Sequence, residues 1–206
     1  MTRRSSAAQR CPRCHIHLRH CFCAHLRPLR VATTVSLVVH VRELKLTSNT
    51  AAMLREMLPE NAHLDVRGAV AEVFDAAPIL ARPGRPLFVY PSDDAIELNA
   101  DFRAAHPGPY HLIVPDGSWN QARKVHHREP RFAALPTVKL PVGLVGEYGL
   151  RRAQHPAFVS TYEAVAHALG ILEDPAVAEA LMAFFRVFVK SVLHSRTNFY
   201  GELDLG

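Results

Sequence analysis

The sequence contains no long hydrophobic run. In a chain of 206 residues, no apolar stretch approaches the roughly 18 residues that a membrane-spanning helix needs. Residues 1–10 carry charges but lack the hydrophobic region of a signal peptide. We therefore expect a cytoplasmic protein that has no membrane partner.

Two common nucleotide-binding motifs are also missing. The sequence has no G-x-x-x-x-G-K-[ST] loop, and Gly143, Gly146 and Gly149 do not follow the dinucleotide-binding spacing. These absences argue against a P-loop kinase and against an NAD-dependent enzyme. The glycines could form a flexible loop or a loop whose backbone approaches a ligand, since glycine has no Cβ. Their position after a predicted strand favours the second interpretation.

Cysteine is absent outside one short segment, which holds Cys11, Cys14, Cys21 and Cys23. Disulfides are rare in a reducing compartment, and a Cys-x-Cys pair is too close for easy bridging. Four thiolates can instead surround Zn²⁺ tetrahedrally, which favours a structural zinc knuckle over unpaired thiols or a redox dithiol. We expect a zinc-binding element at residues 1–30 and a catalytic domain at 31–206.

Negative charge is scarcer than positive charge. The chain has 24 lysines and arginines against 19 aspartates and glutamates, a formal net charge of +5. This excess suits binding to a phosphate backbone. A solvated basic surface explains it at least as well, so charge alone does not decide between the two.

Strand and helix patterns alternate after the cysteine segment. The predicted strands are 33–40, 86–90, 110–114 and 137–140. Helices are predicted between them at 50–58 and 94–105. This order predicts an α/β fold with a mostly parallel sheet, whose ligands bind beyond the carboxyl ends of the strands.

The last third of the chain predicts two helices. Residues 160–163 form a Ser-x-x-Glu capping box, and the helix that it opens should run to about Ala168 and end near Gly170. Asp174 and Pro175 then open a second helix as its N-cap and first residue. Apolar residues recur at helical spacing along this second helix, and we assign them to core packing.

The segment 115–124 follows a predicted strand and contains the only tryptophan. Asp116 or Ser118 could cap a helix there, and Gln121 would complete a Ser-x-x-Gln capping box. This interpretation needs no ligand. Trp119 could likewise be a core residue, because most tryptophans are largely buried.

Several segments together resemble the DTW-domain family of tRNA-uridine aminocarboxypropyltransferases. Asp116, Ser118 and Trp119 match the Asp, Thr and Trp that name this family, and serine keeps the threonine hydroxyl. The cysteine cluster resembles the family's N-terminal zinc element. Further similar segments follow in the family's order at residues 40–50, 90–91, 150–152 and 160–164. The resemblance covers nearly the whole chain, with a departure at residues 47–48 inside the threonine-asparagine segment.

This resemblance implies a SPOUT-like fold, in which an α/β sheet carries a C-terminal knot that holds S-adenosylmethionine. It also implies transfer of the 3-amino-3-carboxypropyl group from this donor to N3 of a uridine in tRNA, with release of methylthioadenosine. No metal is needed for that chemistry. The sequence does not fix the oligomeric state, and a monomer is the simpler expectation.

The implied reaction suggests roles for the signature residues. Asp116 is the candidate general base, because the uridine imide nitrogen is a poor nucleophile until it is deprotonated. Trp119 is a candidate for packing against the sulfonium, since a cation over an aromatic face gains about 0.5–2 kcal/mol. Ser118 and Tyr90 are further expected cofactor contacts, because they lie in the matching segments.

Two more pairs of residues are expected near the cofactor. Arg151 or Arg152 could bind the carboxylate of the migrating group and so present its Cγ, rather than the methyl group, to the attacking nitrogen. The alternative is a solvated pair of arginines. Ser160 and Thr161 begin a predicted helix, and a helix N-terminus favours an anionic group.

Basic residues in two parts of the chain could form one track that positions tRNA. They are Arg13, Arg19 and Arg27 in the cysteine segment, and Arg123, Lys124, His126 and His127 after the tryptophan.

Two alternative functions stay open. An RNA methyltransferase that uses the same donor would leave S-adenosylhomocysteine in place of methylthioadenosine. A non-catalytic, zinc-containing tRNA-binding module would leave the nucleosides of its tRNA unmodified.

Overall fold

The computed structural model describes residues 9–44, 46–69, 73–150 and 159–196. The strands are β1 (Thr34–His40), β2 (Ala62–Arg67), β3 (Arg85–Val89), β4 (Ile96–Glu97), β5 (Tyr110–Asp116) and β6 (Thr137–Lys139). The helices are α1 (Thr50–Met57), α2 (Ala77–Leu80), α3 (Ala100–Ala105), α4 (Trp119–Arg128), α5 (Pro130–Ala133), α6 (Thr161–Leu172) and α7 (Pro175–Arg196). Within these ranges, no helix has both the length and the apolar character needed to cross a membrane.

The strands form one parallel sheet with the order β2-β1-β5-β3-β6-β4. This confirms the predicted α/β fold with a parallel sheet. Strands β1 and β5 are buried almost throughout, as expected when helices cover both faces of a parallel sheet. The carboxyl ends of β1, β3, β5 and β6 meet at one edge, where ligands of such sheets bind.

Two helical layers cover the sheet, because successive side chains of a strand point to opposite faces. Val35, Leu37 and Val39 of β1 belong to a core that includes residues of α1, α6 and α7. Val38 belongs instead to a smaller core on the other face, with Val125 of α4. The edge of the sheet is therefore bordered by α6 on one side and by α4 on the other.

The helix predicted at 94–105 is shorter than expected. Residues 96–97 form the edge strand β4, which pairs with β6, and α3 begins at Ala100. Asn99 sets this start, because its side chain accepts a hydrogen bond from the backbone N–H of Phe102 at 2.8 Å.

Gly170 does not end α6 as the sequence predicted. The helix continues to Leu172, and a Cβ at Gly170 would lie only 2.6 Å from the Cβ of Ala178 in α7. The glycine therefore allows α7 to approach α6 closely. The capping box at Ser160 and the start of α7 at Pro175 agree with the predictions.

The described part of the cysteine segment packs against α7. The Phe22 ring contacts the rings of Phe184 and Phe188 edge-on, with centroids 5.9 and 5.4 Å away. Cys11 and Cys14 are buried in the larger core with these rings. Packing on α7 fixes the position of this segment on the face of the sheet that α6 and α7 cover.

Candidate active site

A cavity of about 530 Å³ opens at the carboxyl edge of the sheet. Its volume lies in the range of sites for small molecules and cofactors. Six residues singled out in the sequence line it together: Tyr90, Asp116, Ser118, Trp119, Ser160 and Thr161. Arg151 and Arg152, which the sequence also assigned to the cofactor, lie outside the described residues.

Asp116 is the last residue of β5, and its side chain points toward α6. Leu112 and Val114 share this face of the strand and pack in the larger core. The Thr161 hydroxyl donates a hydrogen bond of 2.6 Å to Oδ1 of Asp116. Thr161 is the first residue of α6, where the helix dipole favours negative charge. A carboxylate is therefore held in a defined orientation at the cavity wall.

A sharp turn after Asp116 carries the chain from β5 into α4. Gly117 has a φ of +144°, a conformation that favours glycine. The backbone N–H of Ser118 donates to Oε1 of Gln121 at 2.6 Å, in the predicted capping box. The half-buried Trp119 then lines the cavity at the first turn of α4. The same turn therefore caps α4 and places Trp119 at the cavity.

The ring of Tyr90 is supported from behind by a histidine. Tyr90 and His126 stack with centroids 4.9 Å apart, and His126 also stacks on Phe88 at 5.4 Å. Burial lowers the pKa of His126 below its usual value, which favours the neutral ring. This packed position differs from the RNA-facing role expected for His126, and it makes the histidine a support for the cavity wall.

The glycine-containing loop after β6 has one anchored end and one exposed end. The buried Glu163 carboxylate accepts hydrogen bonds from the backbone N–H groups of Ser160 and Glu147, at 2.6 and 2.5 Å. The Tyr148 hydroxyl donates to the Ser48 carbonyl oxygen at 2.6 Å. In contrast, the Val142 side chain at the cavity is 88% exposed. The loop therefore contributes to the cavity, and Gly143 is among its lining residues.

Lys139 and Tyr148 are among the cavity residues that sequence reasoning did not single out. Lys139 is the last residue of β6, and its place at the carboxyl end of a predicted strand was the signal that could have found it. Tyr148 gave no comparable signal. Its hydroxyl reaches the loop after β1 across a long separation in sequence.

The expected RNA contacts fall into two separate groups. Arg123 and Lys124 are exposed on α4, beside a shallow depression that Arg128 also lines. Arg13 instead pairs with Glu56 of α1, and Arg19 lies in the cysteine segment that packs on α7. Because α4 and α7 cover opposite faces of the sheet, these residues do not form one local track.

The four cysteines form a compact cluster whose sulfur atoms all lie within 4.8 Å of one another. The Cys11–Cys23 and Cys14–Cys21 sulfur pairs are each 3.8 Å apart. Tetrahedral coordination at about 2.3 Å per sulfur separates the sulfurs by about 3.8 Å. The donor set and its spacing are therefore compatible with a metal ion.

Comparisons with known proteins bear on the family of this chain. The sequence model of the DTW domain matches residues 8–193. The tRNA-uridine aminocarboxypropyltransferase 2 of Mus musculus is 27% identical over 167 residues, which cover 79% of this chain and 56% of that protein. Its namesake in Drosophila melanogaster is 29% identical over 171 residues, which cover 80% of this chain and 67% of that protein.

The chain thus spans between about half and two thirds of these curated relatives. A looser structural match is the SAM-dependent rRNA:acp-transferase Tsr3 from Vulcanisaeta distributa, with 20% identity, a TM-score of 0.49 and 80% of each chain covered. The domain match extends over nearly all of the sequence, from the cysteine cluster to the end of α7. This chain belongs to the DTW domain family.

Proposed function

We propose that this protein transfers the 3-amino-3-carboxypropyl group of S-adenosylmethionine to N3 of a uridine in tRNA and releases methylthioadenosine. The observation that carries the proposal is the cavity that gathers Asp116, Ser118 and Trp119 in a DTW-domain chain. The names of the mouse and fly relatives support uridine in tRNA as the acceptor and aminocarboxypropyl as the group transferred.

Asp116 is the proposed general base. Its carboxylate accepts the N3 proton of uridine, and N3 attacks Cγ of the methionine moiety. The Cγ–S bond breaks, and its electron pair neutralises the sulfonium to give methylthioadenosine. Thr161 supports this role, because its hydrogen bond to Oδ1 fixes the carboxylate.

The aromatic residues of the cavity are the proposed contacts for the donor. Trp119 offers a ring face to the sulfonium, and Tyr90, held by His126, offers a second flat surface. Ser118 and Ser160 supply polar groups at the starts of α4 and α6. Arg151 and Arg152 stay proposed contacts, although they lie outside the described residues.

The cysteine cluster is the proposed site of a structural Zn²⁺, held by Cys11, Cys14, Cys21 and Cys23. Four protein ligands leave no coordination position for water, so the ion would stabilise the N-terminal segment and take no part in the reaction. Stoichiometric zinc in the purified protein, lost in Cys14→Ser, would support this assignment. A metal-free protein with unchanged thermal stability would contradict it.

Several finer expectations, from the family resemblance and from the sequence itself, belong to the same proposal. They are a SPOUT-like fold with a C-terminal knot, a zinc-binding element at 1–30, a catalytic domain at 31–206, a cytoplasmic location and a monomeric state. For tRNA, we propose that Arg123 and Lys124 on α4 contact the backbone beside the cavity, with Arg13 and Arg19 contacting it separately.

The decisive experiment is mass spectrometry of nucleosides from unmodified tRNA incubated with the protein and S-adenosylmethionine. We expect a uridine that has gained one aminocarboxypropyl group, together with free methylthioadenosine. Asp116→Asn should abolish most of this product, whereas the exposed Asp101→Asn serves as a matched control. Methylated uridine would instead identify a methyltransferase, and tRNA binding without any modification would identify a binding module.

A further inference from the structure

The charges around the cavity are unequally distributed. Among the described residues that line it, the acidic side chains are Glu43 and Asp116, and Lys139 is the one basic side chain. S-adenosylmethionine brings two positive groups, the sulfonium and the ammonium, and one negative group, the carboxylate. Each needs a partner of opposite charge if it is to leave water.

Lys139 reaches the cavity from the face of the sheet opposite to Asp116. Its neighbour Val138 is buried in the core with α6 and α7, so the Lys139 side chain points to the other face. There it lies beside Tyr90, since β6 pairs with β3 through Val138 and Val89. Lys139 is half-buried and lines the cavity.

The ammonium group of Lys139 has little to hold it in place. It donates to the Ser92 carbonyl oxygen at 3.5 Å, the limit for a hydrogen bond. No carboxylate in the described ranges lies within ion-pair distance of it. Asp94 is near enough to feel its charge, but the pKa of Asp94 is lowered first by the Ser92 hydroxyl and only slightly by Lys139. A half-buried ammonium at a cavity therefore has donors available for a ligand.

The register of the sheet sets the spacing of the backbone positions that carry the two charges, Lys139 and Asp116. Val89 pairs with Val138, and Phe88 pairs with Ile113, so Lys139 lies two strands away from Pro115, next to Asp116. Two strand spacings correspond to about 10 Å. A methionine moiety placed between Asp116 and Lys139 would have its sulfonium near the acidic end and its carboxylate near the basic end.

We propose that the ammonium of Lys139 binds the carboxylate of the aminocarboxypropyl group and so determines which carbon of the donor faces uridine. This inference rests on the proposed function. Holding the carboxylate at the β6 side directs the methionine chain across the cavity, with Cγ toward the nucleophile at Asp116. It assigns to Lys139 the role that the sequence had suggested for Arg151 or Arg152.

Binding measurements with three ligands test this assignment. The ligands are S-adenosylmethionine, decarboxylated S-adenosylmethionine and methylthioadenosine, titrated calorimetrically into the wild type, Lys139→Ala, Lys139→Arg and the exposed control Lys190→Ala. We expect Lys139→Ala to weaken the binding of S-adenosylmethionine roughly 10- to 100-fold, which corresponds to the loss of one charge-assisted hydrogen bond. The two ligands without a carboxylate should bind as before, and Lys139→Arg should recover most of the affinity.

Three outcomes would overturn the assignment. Equal weakening of all three ligands by Lys139→Ala would indicate a structural role. If Lys139→Ala binds S-adenosylmethionine as the wild type does but transfers the group to tRNA more slowly, Lys139 contacts the nucleic acid instead. A selective loss of S-adenosylmethionine affinity in Arg151→Ala or Arg152→Ala, with none in Lys139→Ala, would show that an arginine binds the carboxylate. The failure of the proposed function is distinct, because the wild type would then bind the donor without making aminocarboxypropyl uridine.

Discussion

Two parts of the sheet each hold a hydrogen-bonded aspartate, and they differ in what surrounds it. At the carboxyl edge, Asp116 accepts from Thr161 and borders a cavity. In the edge strand β2, Asp65 accepts two hydrogen bonds from Arg82, at 2.5 and 2.7 Å. Asp65 does not line that cavity, and its side chain is only 14% exposed.

The second site is a closed polar network, defined here as Asp65, Arg82, Ser36 and His111. Arg82 also donates to the Ser36 hydroxyl at 2.5 Å, and Ser36 hydrogen-bonds His111 Nε2 at 2.7 Å. Serine, histidine and aspartate occur together here as they do in hydrolases, but Ser36 and His111 are fully buried. The comparison teaches that access to a ligand, more than the kinds of side chain present, separates a reactive site from a structural one.

The largest expected effect is on catalysis at the open site. Asp116→Asn keeps the shape of the side chain but removes the base, so kcat for aminocarboxypropyl transfer should fall by about 10²- to 10⁴-fold. Thermal stability should change little, because the amide oxygen can still accept from Thr161. Single-turnover rates with saturating tRNA would measure this loss. A variant that retains full kcat would exclude Asp116 as the base.

The matched substitution in the closed network should have the opposite effect. Asp65→Asn leaves Arg82 without its counter-charge in a site where the two side chains are only 14% and 21% exposed. We expect a loss of about 2–4 kcal/mol in the free energy of unfolding, somewhat below the value for a fully buried pair. Urea unfolding would measure it. The kcat of the folded fraction should match that of the wild type. A loss of kcat without a loss of stability would contradict the structural role of Asp65.

A third prediction concerns pH and the same network. Burial, with smaller contributions from Arg82 and His63, lowers the pKa of His111 to about 4, while nearby Asp65 raises it slightly. His111 therefore binds a proton near pH 6.5 in the unfolded chain but only near pH 4 in the folded protein. Stability should fall by up to about 3 kcal/mol as the pH drops through this window, and level off below it.

Urea unfolding at several pH values would test this prediction. His111→Gln keeps an amide that can hydrogen-bond Ser36 but does not titrate in this range, so its stability should depend less on pH than that of the wild type. An equal pH dependence in both proteins would assign the effect to other groups.

The sequence predicted the strands that contain a run of apolar or β-branched residues. Strands β1, β3, β5 and β6 were found because both faces of each are covered. Strand β2 was not predicted, because it lies at the sheet edge and carries His63, Asp65 and Arg67. Strand β4 was not predicted either, because it is too short to produce a pattern.

The candidate site was predictable where it depends on local motifs. Asp116, Ser118 and Trp119 lie in one turn, and Ser160 and Thr161 in one capping box, so their positions follow from short segments. Lys139 and Tyr148 reach the cavity through the order of the strands and the path of the loops, which local patterns do not contain. The same limit applies to the RNA contacts, because the sequence does not show that Arg13 and Arg123 lie on elements that cover opposite faces of the sheet.

The smallest expected effect comes from the residue that orients the open aspartate. Thr161→Val removes the hydroxyl that donates to Asp116 and keeps the shape of the side chain, so kcat should fall by roughly tenfold, as for one hydrogen bond to a charged group. Stability should change by less than about 1 kcal/mol, because the cap of α6 is Ser160. Thr161→Ser should recover most of the rate. If Thr161 served only to begin the helix, valine and serine would give the same kcat, and the carboxylate at the cavity would have to be oriented by the substrate itself.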